Sequence, residues 1–156
     1  MSCQHSDHAR HPPQRGFAMV EFTIVAPVLL FMMGGTVEFG QYLIQYSTLN
    51  DSVRNATRYV AGAALDSTGA LLQQGPEMAQ GKNLAVYGNI AGTGAALLPG
   101  LTTAQITVTE TTATDNITVT AAYPYKSVFG ALMPTFMGGT IATNYTMKIS
   151  TTMRAL

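Results

Sequence analysis

Gln14–Phe39 reads QRGFAMVEFTIVAPVLLFMMGGTVEF. A basic, polar leader ends at Arg15-Gly16, and from Phe17 to Val37 the chain is almost wholly apolar. A helix of about 20 mostly apolar residues, rising 1.5 Å each, crosses a hydrocarbon core of roughly 30 Å. Phe17–Val37 has that length and lacks the polar stripe of a soluble core helix. Glu21 is the one charge within it. A charged side chain at a membrane helix centre costs on the order of 2.5–3.5 kcal/mol. Glu21 sits near one end, where the cost falls, and an intramembrane carboxylate is a functional hypothesis by default. A secretory signal would end its apolar run after about 7–15 residues at a small-residue cleavage site. Here Glu38, Phe39 and Gly40 follow instead, so retention in the membrane is expected.

Arg15-Gly16, then Phe17 and Glu21, resembles the processing site of type IV prepilins. That resemblance implies cleavage after Gly16 by a dedicated membrane peptidase, with Glu21 fifth in the mature chain. Cleavage would free the Phe17 amine, a cation one helical turn from the Glu21 carboxylate. The two charges can pair within a chain or between neighbouring subunits. The second arrangement satisfies both only on assembly and sets the axial register. The competing reading is an ordinary signal anchor with a chance glutamate.

The 156 residues leave room for one small domain beside the membrane segment. Apolar residues make up 47% and charged residues only 10%, well under the roughly 25% usual for soluble proteins. A formal charge of zero does not favour nucleic acid as a partner. Arg10 and Arg15 precede the apolar run with only Asp7 opposing, which puts the leader in the cytoplasm and the bulk of the chain outside. Cys3 is the only cysteine and lies in the leader, so no intrachain disulfide can form. His5, His8 and His11 beside Cys3 and Asp7 are metal-capable types. Pro12-Pro13 and the scarcity of apolar residues make a polar leader the better reading.

Pro27 removes the helical hydrogen bond to the Thr23 carbonyl, so a kink or loosening is expected there, with the Thr23 hydroxyl available to compensate. Gly34-Gly35 would admit a close helix neighbour. Beyond the apolar run, Phe39, Tyr42, Tyr46, Leu49, Val53, Ala56, Val60 and Ala63 alternate by three and four. Gln41, Gln45, Thr48, Asp51, Asn55 and Arg58 lie off that stripe. Such a stripe marks an amphipathic helix seeking cover, either the chain's own domain or a partner subunit. The helix is expected to end near Leu65, where Asp66, Ser67 and Gly69 break the pattern. A short helix is expected over Glu77–Tyr87, with Met78, Leu84 and Ala85 as contacts and Gly88-Asn89 at its C-terminus.

From Leu101 the period becomes two. Ile106 and Val108 alternate with threonines, as do Ile117 and Val119, and Asp115-Asn116 reads as the turn of a hairpin. A third strand is expected over Ile141–Met153, after an irregular or short helical crossover at Ser127–Met137. The fold class is therefore α+β: a long N-terminal transmembrane helix continuing into an amphipathic helix, followed by a small antiparallel sheet of about three strands. The divisions are a leader (1–16), a transmembrane helix (17–40), a helical extension (41–65), a Gly/Ala-rich connector with a short helix (66–100) and a sheet domain (101–156).

No catalytic constellation is visible, so no enzyme, metal or cofactor is expected. The carboxylates are scattered, and no Gly-x-Ser-x-Gly or phosphate-loop motif occurs. The segments RGFAMVEFTIVAPVLL, VEFGQY, VRNATRYVAGA and NLAVYG, with a closing strand ending in MR, resemble the TadE-like family. Thr57 departs from the small Ala usual beside its Arg-Tyr pair. The resemblance implies a minor pilin or pseudopilin of the tight-adherence (Tad) system that builds Flp-type pili and supports adhesion and biofilm formation. It implies an inner-membrane precursor, cut between Gly16 and Phe17, with Glu21 used in assembly. Its implied partners are a prepilin peptidase, other pilins, the assembly platform and membrane lipid. The alternative is a membrane-anchored extracytoplasmic binding module outside any pilus.

Overall fold

A computed structural model describes residues 15–63, 75–111, 115–130, 132–134, 139–142 and 145–155. The leader residues Cys3, Asp7, His5, His8 and His11 and the expected helix stop at Asp66, Ser67 and Gly69 lie outside them. Helix α1 runs from Arg15 to Ala63 without interruption, 49 residues or about 74 Å. It takes in both the apolar run and the amphipathic stripe, and it passes through Pro27. The Thr23 hydroxyl donates to Met19 O at 2.7 Å. It is therefore bonded one turn earlier and does not compensate the carbonyl that Pro27 frees.

Helix α2 spans Pro76–Tyr87, with the proline in its first turn, where a missing amide costs nothing. Gly88 ends it in the left-handed conformation (φ 72°), donating its N–H to Leu84 O. Gly81, Ala85 and Val86 form its buried face, so Val86 replaces the expected Leu84. A single turn of 3₁₀ helix at Thr103–Gln105 leads into β1 (Ile106–Thr111), which pairs antiparallel with β2 (Asn116–Pro124). Asp115, at φ 49°, lies just before β2, whereas Asn116, expected in the turn, opens the strand opposite Thr111.

The expected third strand is divided. Thr140–Ala142 (β4) pairs with Leu132–Pro134 (β3) in a separate two-stranded sheet, so the expected irregular or helical crossover contains a strand. Thr146–Arg154 (β5) pairs antiparallel with β2, giving the order β1-β2-β5. Pro124, which lacks an amide proton, faces Thr146 at the end of that ladder, and Tyr125 N–H takes Tyr145 O just past it.

Every second residue of β2 (Ile117, Val119, Ala121, Tyr123) is buried, and Met147 and Ile149 of β5 join them. Leu49, Val53, Ala56 and Val60 of α1, all fully buried, lie in the same core with Ala85 and Val86. The stripe on α1 is thus covered by the chain's own sheet and α2. Its first part is not: Phe39 is 63% exposed and Tyr46 42%. Three polar residues are buried on the helix instead. Ser52 and Thr57 donate back to Leu49 O and Val53 O, and Gln45 bonds across to Lys126. Thr57 therefore fits, its hydroxyl satisfied at 2.7 Å within the helix.

The α1–α2 contact depends on Gly81, where a Cβ would overlap Val60 Cγ2. Overpacking a filled core costs about 1–3 kcal/mol. Gly81→Val is expected to lower unfolding stability by about that much. Gly40→Ala, with nothing within 4 Å of the added Cβ, should instead be neutral or gain up to about 1 kcal/mol of helix propensity. Chemical denaturation of both variants checks the contrast.

Candidate functional site

Gly16, Phe17 and Glu21 occupy the opening turns of α1. Nothing comes within 4 Å of a Cβ placed on Gly16, and Phe17 is 79% exposed. Glu21 is exposed as well and has no hydrogen-bond or ionic partner among the described residues. From Gly16 to Met33 only Ala26 is even half-covered. The chain therefore leaves Phe22, Ile24, Leu29, Leu30, Met32 and Met33 uncovered on a helix long and apolar enough to cross a membrane, with a mean hydropathy of 2.0 in its most apolar window. The structure places the junction and the carboxylate on one continuous, unclad helix, with Phe17 and Glu21 one turn apart.

A second cluster lies where the apolar run ends. Tyr125 donates its hydroxyl to Glu38 Oε1 at 2.7 Å and also lies 3.2 Å from Glu38 O. Val128 N–H donates to Glu38 Oε2 at 3.2 Å. Two turns on, Gln45 donates to Lys126 O at 2.9 Å and accepts from Lys126 N–H at 3.4 Å. Glu38, Tyr42, Gln45, Leu49, Val53, Ala56 and Val60 form one line along α1, polar at the end nearer the apolar run. The polar end bonds the backbone of the segment after β2, which has left the ladder and must find other partners. Tyr42, Tyr125 and Tyr145 pack together there, with Tyr125 and Tyr145 stacked at 5.0 Å between ring centroids. Burial, reinforced by the Glu38 carboxylate, holds the Tyr125 hydroxyl well above its ordinary pKa, so it stays a donor.

Sequence reading missed this cluster. Glu38 stands among scattered carboxylates, and Gln45 was expected off the covered face. A spacing of seven between a carboxylate and a carboxamide is the only signal, and it does not reveal that the partner is a loop some 80 residues away.

A cleft of about 560 Å³ lies between α2 and β1, lined by Gly75, Met78, Ala79, Lys82, Val108, Thr109 and Glu110. Both Glu110 carboxylate oxygens are shielded from water and accept no hydrogen bond, and burial raises that pKa. Among the described residues no group of three or more His, Cys, Asp or Glu could hold a metal ion.

Fold and helix together define an α+β body carried on a long N-terminal apolar helix. The model of the TadE-like protein family matches residues 16–58, so over that span the chain is similar to TadE-like proteins. The match covers the Gly16 junction, Glu21, Glu38 and most of the buried stripe. The NLAVYG segment and the closing MR lie outside it. No curated protein and no solved structure matches the chain.

Tyr125→Phe removes the donor to Glu38 and leaves the aromatic packing in place. Hydrogen bonds to charged groups contribute about 1.5–3 kcal/mol. The Val128 amide, which shares that carboxylate, is expected to exchange with deuterium faster in the variant, while amides of β2 keep their protection. Native-state hydrogen exchange reads both.

Proposed function

We propose that this chain is a minor pilin or pseudopilin of a Tad system, working in the assembly of Flp-type pili that support adhesion and biofilm formation. The observation that carries the reading is the lone, unpartnered Glu21 on an unclad apolar helix, five residues after Gly16, within the TadE-like match. In this reading a prepilin peptidase cuts between Gly16 and Phe17, the apolar part of α1 stays in the inner membrane, and the α+β body lies outside the cytoplasm. Other pilins and the assembly platform then cover what the chain leaves bare. Burying an unpaired carboxylate in lipid is costly. A subunit that pairs Glu21 with the freed Phe17 amine of a neighbour removes that cost on assembly and fixes the axial offset. Both groups are uncovered, so either intrachain or intersubunit pairing is sterically open.

Gly16 tests the processing step. A helix already formed through the junction leaves little room for a side chain in a peptidase site against the membrane. Gly16→Val is expected to accumulate as the full-length precursor, whereas the parent chain gives a mature N-terminus at Phe17 by mass spectrometry of membrane extracts. Cleavage of the variant as efficient as the parent's would overturn the site.

Glu21→Ala makes the helix more apolar, so insertion and cleavage should be unaffected while piliation is lost. Electron microscopy of a strain carrying only the variant reads the outcome. Normal pili would remove charge pairing from the account.

A further inference from the structure

We propose that the segment Ser127–Gly130 is a second membrane contact, seating the α+β body on the outer leaflet at a fixed depth. This rests on the membrane reading of α1 given above. Glu38 immediately follows the apolar run, and it holds this segment by the Tyr125 hydroxyl and the Val128 amide. From there the segment turns back along the helix toward the span. The Phe129 ring lies against Gly34, with Cζ 3.4 Å from where a Cβ would sit. Gly34 is three residues inside the end of the run at Val37, about 4.5 Å below it along the helix axis. Any group beside Gly34 is therefore at the depth of the hydrocarbon boundary.

The chemistry of the segment suits that depth. Val128 and Phe129 are 53% and 46% exposed among the described residues. About 12 Å further from the span along the helix axis, Tyr42, Tyr125 and Tyr145 form a cluster whose rings are apolar and whose hydroxyls are polar, with Tyr46 beside it at 6.0 Å from Tyr42. Tyrosine is enriched at the membrane–water interface for that reason. Lys126, exposed at the level of Gln45, adds a positive charge on the side away from the span. Apolar tip, aromatic layer and cation thus follow in the order of hydrocarbon, interface and headgroup. The occupant they fit is a phospholipid leaflet continuous with the one around α1. Such a contact fixes the tilt and rotation of helix and body together in the bilayer, and it presents the same face outward in every subunit.

The test uses the full chain with Cys3→Ser, reconstituted singly into nanodiscs of phosphatidylethanolamine and phosphatidylglycerol. An environment-sensitive fluorophore is attached at Val128→Cys, with Leu29→Cys as a site within the span and Ile90→Cys as an exposed apolar site on the loop beyond α2. Quenching by nitroxide carried on lipid is compared with quenching by aqueous iodide. Position 128 is expected to be quenched by the lipid nitroxide and shielded from iodide, as at 29 but at a shallower depth, with the reverse at 90. If 128 behaves like 90 while 29 reports lipid, the second contact is overturned and the membrane helix stands. If 29 is itself open to iodide, the membrane reading fails and takes the proposal with it. Shielding at 128 that rises with protein-to-lipid ratio, without nitroxide quenching, would assign the segment to a second copy of the chain and overturn the lipid contact.

Discussion

The line Glu38–Tyr42–Gln45–Leu49–Val53–Ala56–Val60 is the constraint on which the rest depends. Its apolar part is fully buried against β2, β5 and α2, so the C-terminal half of α1 is a core element of the body. A three-stranded sheet with one apolar face must bury that face against another element. The helix supplies it, and Gly81 lets α2 close the remaining side. Because α1 is continuous, fixing its second half fixes the direction in which its first half leaves the body.

That first half is physically unlike the second. Between Gly16 and Met33 the helix has essentially no cover within the chain, and its side chains are those that lipid or other apolar helices accept. One element therefore serves two environments, with the change at Glu38. Polar bonds from Glu38 and Gln45 to the segment after β2 hold the body at that boundary. A loose joint would let body and helix reorient independently, whereas bonds on both sides of Tyr42 resist it.

Much of this was legible in the residues. Length and apolar content identify the helix, alternation of isoleucine and valine with threonine identifies β1 and β2, and the Gly88 stop follows from its conformational freedom. Periodicity alone could not say what covers the stripe, because own-sheet and partner-subunit packing demand the same spacing. It also misjudged Gln45, since a polar residue at a covered position is legible only when its partner is known. The split of the last strand between two sheets escaped for a related reason. Alternation through Ile141–Met153 is the same whether or not the ladder is interrupted, and the interruption depends on pairing with Pro124 and Leu132–Pro134. Glu21 stands out in the sequence as the one charge in an apolar run, while the Glu38 cluster depends on a contact across about 90 residues of chain.

The most direct test of the shared helix is thermal unfolding of Val53→Asp in a chain beginning near Gln41. Val53 is fully buried midway along the line. A carboxylate there would have to ionise in the core or remain protonated, at a cost of several kcal/mol against a domain stability of about 5–15 kcal/mol. The account predicts that the cooperative transition collapses or shifts far downward. An unchanged transition, with loss only of association to other subunits, would show that this face belongs to a partner and would contradict it.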